Sequence, residues 1–147
     1  MLAISSCLTG VKCRYNATDS YNPRLMEGMK EEYIAVCPEI LAGFDTPRPP
    51  CEIIGGSGGD VLNGTARMID KNGADITGAM IHGAKKALQI CLEKGAAKAY
   101  LQSRSPTCGC GRIYDGSFSN TLKAGDGIFT ALLKQHNIEI VEVSGDA

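Results

Sequence analysis

The chain has 147 residues and a net charge of −1, with 44% hydrophobic and 21% charged residues. A chain of this length buries roughly 70% of its unfolded surface and needs no disulfide staples. Its charge balance offers nothing to nucleic acid or an acidic membrane, and five Tyr, three Phe and no Trp argue against a base-stacking platform. No apolar run is long enough to span a bilayer. The opening "MLAISSCLTG" has no basic n-region and no room for an apolar stretch before Cys7, so it reads as no signal peptide, and the cytoplasm is the expected compartment.

In chain order, "LAIS" at 2–5 is a short apolar run ending in small residues, which predicts a buried strand. "YNPRLMEGMKEE" holds helix formers after an Asn-Pro start, and "YIAV" at 33–36 predicts a second buried strand leading into "CPE". "TPRPP" at 46–50 is incompatible with regular structure, because each proline removes a donor and fixes φ. "GGSGGD" at 55–60 reads as a flexible loop or wide turn. No Lys-Ser/Thr follows it and no helix is expected there, so it is not a phosphate loop. "VLNGTARMID" reads as a hairpin turning at Asn63-Gly64.

Residues 76–94 form the clearest helix, with Ile81, Ala84, Leu88, Cys91 and Leu92 at helical spacing, Asp75 or Thr77 to cap it and Gly95 to end it. "AKAYLQ" at 97–102 predicts a third buried strand. "GDGIFTALLKQHN" predicts a last helix with Asp126 as cap and Asn137 as stop, and "IEIVEV" an edge strand. Strands alternating with helices predict a single α/β domain over 1–147 with a mainly parallel sheet. Its proline- and glycine-rich middle is an inserted hairpin and loop excursion.

Seven cysteines are the unusual feature: Cys7, Cys13, Cys37, Cys51, Cys91, Cys108 and Cys110. In a reducing compartment such thiols serve metals or catalysis more often than disulfides. Cys91 falls on the apolar face of the long helix and reads as core. Cys7 lies two residues past the first strand, Cys37 immediately past the second and Cys108 six past the third. Parallel sheets bind ligands beyond the carboxyl ends of their strands, so these loops carry one thiol each to one edge. Three thiolates suggest a soft metal, either zinc or an iron–sulfur cluster. Both histidines, His82 and His136, sit on predicted helices, and neither the mixed Cys/His zinc spacings nor the tight ferredoxin run is present. Pro38 suits a first helical position, which would set Glu39 beside the Cys37 loop, where a carboxylate can activate water. Ser105 before Pro106 has the form of a turn residue. Arg48, among prolines, reads as either a solvated charge or an anion contact.

"SSCLTGVKCRYN", "VCPEILAGFDTPRPPCEIIGG", "GADITGAMIHGA" and "SPTCGCGRIYDGSFSN" follow one another along nearly the whole chain. In this order they resemble the thiouracil desulfidase family, once a domain of unknown function. The resemblance implies a Rossmann-like three-layer domain holding a [4Fe-4S] cluster through Cys7, Cys37 and Cys108, with one iron free of protein ligands. It implies hydrolytic desulfuration of a thiolated pyrimidine base such as 2-thiouracil, or a related small thioamide, with sulfide released. Glu39 matches the family's acid/base residue, and Ser105 a second catalytic residue. The partner is then a small thio-substrate, with no nucleic-acid polymer and no membrane. Thr107 stands where serine is usual, and Cys13, Cys51 and Cys110 are thiols without an assigned role. Two other readings compete. One is a thiol redox protein using Cys108 and Cys110, against which the lack of C-x-x-C counts. The other is a non-catalytic module whose metal site is structural, with Cys13, Cys51 or Cys110 as a fourth ligand.

Overall fold

The computed structural model describes residues 1–144. Strand β1 (Leu2–Ser5) runs into a 3-10 turn at Ser6–Thr9, then α1 (Pro23–Glu27), β2 (Tyr33–Val36) and α2 (Pro38–Leu41). The middle of the chain holds β3 (Cys51–Ile54), α3 (Gly58–Asn63) and β4 (Arg67–Asp70). Then come α4 (Thr77–Glu93), β5 (Lys98–Gln102), β6 (Arg112–Tyr114), β7 (Leu122–Ala124), α5 (Ile128–Gln135) and β8 (Glu139–Val143).

β2, β1, β5 and β8 form a sheet in that order, with every neighbouring pair parallel. Among the described residues, the antiparallel strand pairs are β3 with β4 and β6 with β7, and an isolated antiparallel bridge joins Ile69 to Asp75. The architecture is the expected α/β fold, and the reason is alternation. Ala3 faces one side of the sheet and Ile4 the other, so each side must be covered. On Ala3's side, α4 supplies Met80, Ala84, Leu88 and Cys91, and α5 supplies Phe129 and Leu133 to the main core. On Ile4's side the cover is thinner: Leu8, Leu25, Met26 and Met29 pack over Ile4, Tyr100 and Val143.

Several elements differ from expectation. β2 is an edge strand, and only Val36 of its four residues is buried; its apolar run reflects β propensity rather than burial on both faces. β8 is the other edge, as its alternation predicts. α1 starts where expected, with the Asn22 side chain accepting from the Leu25 amide at 2.9 Å, but it ends at Glu27 with Gly28 as C-cap.

The expected Asn63-Gly64 hairpin is absent. Residues 58–63 are helical, Gly64 is their left-handed C-cap (φ 82°), and β4 pairs with β3 instead. The helix opens inside "GGSGGD" because Ser57 and Asp60 form a capping box. That removes one ground for rejecting a phosphate loop, yet the Gly58 amide already donates to Asp126 O at 2.7 Å and the Ser57 amide to the Asp60 carboxylate at 2.8 Å. A β-carbon at Gly58 would already collide with the Gly127 backbone.

α4 runs as predicted, with Asp75 accepting from the Thr77 amide at 3.0 Å. Asp126 does not cap α5. The first amides of that helix are satisfied by a loop instead: Ile128 N–H donates to Pro106 O, Phe129 N–H to Thr107 O and Gly127 N–H to Gly109 O. Asp126 accepts from the Gly111 amide at 2.8 Å and pairs with Lys134 at 2.9 Å.

Candidate functional site

After β1 the chain passes to β2 on one side, then returns by way of α4 to β5 on the other. Such a reversal opens a crevice at the carboxyl ends of the two central strands. The Ser5 Oγ accepts the Gln102 amide at 3.1 Å across this point. A cavity of about 400 Å³ lies there, within the range of small-molecule sites.

Cys7, Cys37 and Cys108 all line this cavity, with Glu39 and Ser105. Each arrives by a different device. Cys7 is in the 3-10 turn that leaves β1. Cys37 is the extended N-cap residue of α2, and Pro38 follows at the first helical position. This puts Glu39 in the first turn, where its Oε2 accepts the Cys37 thiol proton at 3.1 Å. Cys108 is held by a turn that Ser105 closes: the Ser105 Oγ accepts the Thr107 amide at 3.2 Å and the Cys108 amide at 2.7 Å. Both acceptor positions of that hydroxyl are taken, so its own proton is available to donate. The Cys108 carbonyl accepts from Thr130 Oγ1 at 2.9 Å, tying the loop to α5.

Cys13 and Cys51 reach the same cavity. The Cys13 thiol touches both Cys7 and Cys37. Its contact with Cys37 pulls it down, yet the contact with Cys7, burial and the nearby Glu39 carboxylate push it up to about 12. The Cys37 thiol is raised by contact with Cys13, by burial and by Glu39. Burial, with Glu39 adding to it, holds Cys108 well above the usual thiol range and pushes Cys51 up to about 12. These are crowded, desolvated thiols around a carboxylate, the opposite of the electropositive setting that makes a cysteine nucleophilic. Soft thiol donors gathered in this way suit a soft metal or cluster. Among the described residues, no group of His, Cys, Asp and Glu is arranged to hold a single metal ion.

Cys110 goes elsewhere. It lies by a shallow groove with Gly111, Arg112 and Glu142. Cys91 is fully buried in the main core, as its spacing implied. Arg48 lines the cavity too, and it is not a free solvated charge. Its guanidinium donates to Cys13 O at 2.8 Å and its amide to Tyr15 O at 2.7 Å, bracing the Cys13 loop.

Sequence reasoning missed Glu52, Phe118 and Asn120, which also line the cavity. It also underrated the aromatic residues. They are few, but Tyr15, Tyr114 and Phe118 converge here. Among the described residues, three of the five non-glycine residues with left-handed backbone, Arg104 (φ 66°), Phe118 (φ 56°) and Asn120 (φ 63°), line this cavity. Backbone strain of that kind gathers at functional sites.

Fold and site together define an α/β protein whose thiol-lined cavity, with an acid beside it, sits at the switch point of a parallel sheet. The 2-thiouracil desulfurase family model matches residues 2–144, and the chain belongs to that family. It is 43% identical over 142 residues to the uncharacterized protein YbbK of Bacillus subtilis (strain 168), covering 96% of this chain and 94% of that one. It also resembles the solved structure of the [4Fe-4S]-dependent thiouracil desulfidase TudS, with a TM-score of 0.82 and 35% identity over 96% of this chain and 89% of that one. Among the described residues, no helix is long and apolar enough to cross a membrane.

Proposed function

We propose that the chain, acting as one unit, is a desulfidase that hydrolyses a thiolated pyrimidine base such as 2-thiouracil, or a related small thioamide, and releases sulfide. The observation that carries this reading is the meeting of Cys7, Cys37 and Cys108 with Glu39 in one cavity of about 400 Å³. The donor set fits an iron–sulfur cluster: soft, largely buried thiols from three separate loops. Cys7, Cys37 and Cys108 would hold a [4Fe-4S] cluster with one iron free of protein ligands. Bound there, that iron would supply a Lewis acid with affinity for sulfur.

The protein's own groups do the rest. Water adds its oxygen to the thiocarbonyl carbon, and the C–S bond breaks. Both protons of the water end on sulfur, so the reaction is C=S + H₂O → C=O + H₂S, with no net electron transfer. Glu39 is the base for the incoming water. Held against Cys37 at 3.1 Å, it sits at the thiol cluster rather than in bulk solvent. Ser105, whose oxygen is engaged by two amides and whose proton is free, is the donor to the departing sulfur. Sulfide in the thiocarbonyl already has the oxidation level of the product, so no thiol pair is consumed. Reduced cysteines suit the cytoplasm.

One observation favours a second reading, a structural metal site: Cys13 touches both Cys7 and Cys37 and is near enough to serve as a further ligand. Anaerobic reconstitution separates the two. The desulfidase reading expects a brown protein with about four irons and four sulfides per chain, a spectrum that changes on adding 2-thiouracil, and sulfide released in step with uracil. A colourless protein without iron overturns it. A loaded protein whose spectrum ignores the thio-substrate supports the structural site.

A further inference from the structure

The β6–β7 hairpin carries a loop whose backbone is held in conformations most residues avoid. Phe118 has φ 56° and Asn120 φ 63°. A bulky residue in the left-handed region persists only where its surroundings over-determine it. A long-range restraint comes from β3, which also lines the cavity through Cys51 and Glu52. Glu52, in the middle of β3 and 8% exposed, accepts the Gly116 amide at 2.9 Å and the Phe118 amide at 3.2 Å, both on Oε1. Gly116 (φ 95°) lies so close to β3 that a β-carbon there would be 2.7 Å from Ile53 O. Lys123 Nζ closes the docking from β7, donating to the same Ile53 O at 3.1 Å.

A buried carboxylate that bonds no side chain and spends one oxygen on two loop amides is placing that loop. What it places is an aromatic residue, since Phe118 lines the same cavity as the thiols and Glu39. We propose that Phe118 is the stacking platform for the heterocyclic ring of the substrate, and that Glu52 is the positioning residue that holds it in place. The inference rests on the desulfidase reading and adds a specificity: the site selects planar, aromatic thioamides over puckered ones. Stacking on an aromatic face tolerates ring substituents but needs a flat partner.

The test uses the cluster-loaded protein and two thioamides with the same reacting group, 2-thiouracil and 5,6-dihydro-2-thiouracil. The dihydro ring has two saturated carbons and is not flat. The quantity read is the ratio of KM values for the two substrates. Comparing variants by that ratio cancels the intrinsic reactivities. Wild type is expected to show a KM about tenfold lower for the aromatic substrate. Phe118→Leu should lose that preference with the cluster absorbance little changed, while Phe118→Tyr should keep it. Glu52→Ala should lose it as Phe118→Leu does. Glu52→Gln should retain it, because an amide oxygen accepts the same two N–H groups. If Glu52→Ala does not fold, Glu52→Asp, one methylene too short to reach both amides, is read in its place.

Equal KM values for the two substrates in wild type, or an unchanged ratio in Phe118→Leu, overturn the platform while leaving the desulfidase reading intact. A ratio unchanged in Glu52→Ala, or in Glu52→Asp where that stands in for it, overturns the positioning role. Release of sulfide from neither substrate by loaded wild type overturns the desulfidase reading, and this inference with it.

Discussion

Gly83 on α4 lies directly against Pro38 on α2: a β-carbon at position 83 would collide with the Pro38 carbonyl oxygen and lie 2.6 Å from the Ala42 β-carbon. α2 is the short helix that carries Glu39, with Cys37 at its N-cap. Gly83→Ala therefore forces α2 outward and takes Cys37 and Glu39 with it. Overpacking of this kind costs about 1–3 kcal/mol. Denaturant unfolding should show that loss, and iron retained per chain should fall although residue 83 is outside the cavity.

Cysteine replacement sorts the thiols by place. Cys7→Ala, Cys37→Ala and Cys108→Ala should each lose the iron and sulfide of reconstituted protein. Cys110→Ala, beside a separate groove, should retain both. Iron and acid-labile sulfide analysis after anaerobic desalting decides this, and a full cluster in Cys108→Ala removes it from the ligand set.

Glu39→Gln should load normally and release sulfide slowly. General acid–base groups contribute about 10²–10⁴-fold, so kcat should fall within that range with the iron content unchanged. Because Glu39 also accepts the Cys37 thiol proton, the measurement must pair single-turnover sulfide release with the cluster spectrum. Full activity in Glu39→Gln refutes the role.

The Cys91 thiol, remote from the cavity, is pushed up to about 11 by burial. A folded-state value above the ordinary thiol value of 9.0 means the fold favours the protonated form. Its contribution is complete below that ordinary value and is lost as pH rises through 9 toward 11. Stability measured by urea unfolding should fall over this window, and Cys91→Ala should show a shallower fall, offset by a lower starting stability from the cavity it leaves.

The sheet was legible because its strands are short apolar runs, and the position of Cys7, Cys37 and Cys108 beyond three strand ends was enough to bring them together. α3 was legible but overlooked. Ser57-x-x-Asp60 is a capping-box spacing, hidden by glycines that disfavour a helix. Glu52 and Phe118 had no local signature. Their bond spans 66 residues of sequence, and only the pairing of β3 with β4 and the docking of the β6–β7 hairpin bring them face to face. Arg48 was ambiguous for the same reason, since its acceptor, the Cys13 carbonyl, is 35 residues away.

The loop that carries Cys108 also terminates α5, lending its carbonyls to the amides of Gly127, Ile128 and Phe129. Those three amide protons are thereby a gauge of the cavity read from outside it. Whatever immobilises Cys108 should slow their exchange with solvent. Deuterium uptake at the start of α5 would then report how fully the site is filled, residue by residue, in a sample whose colour and turnover are never measured.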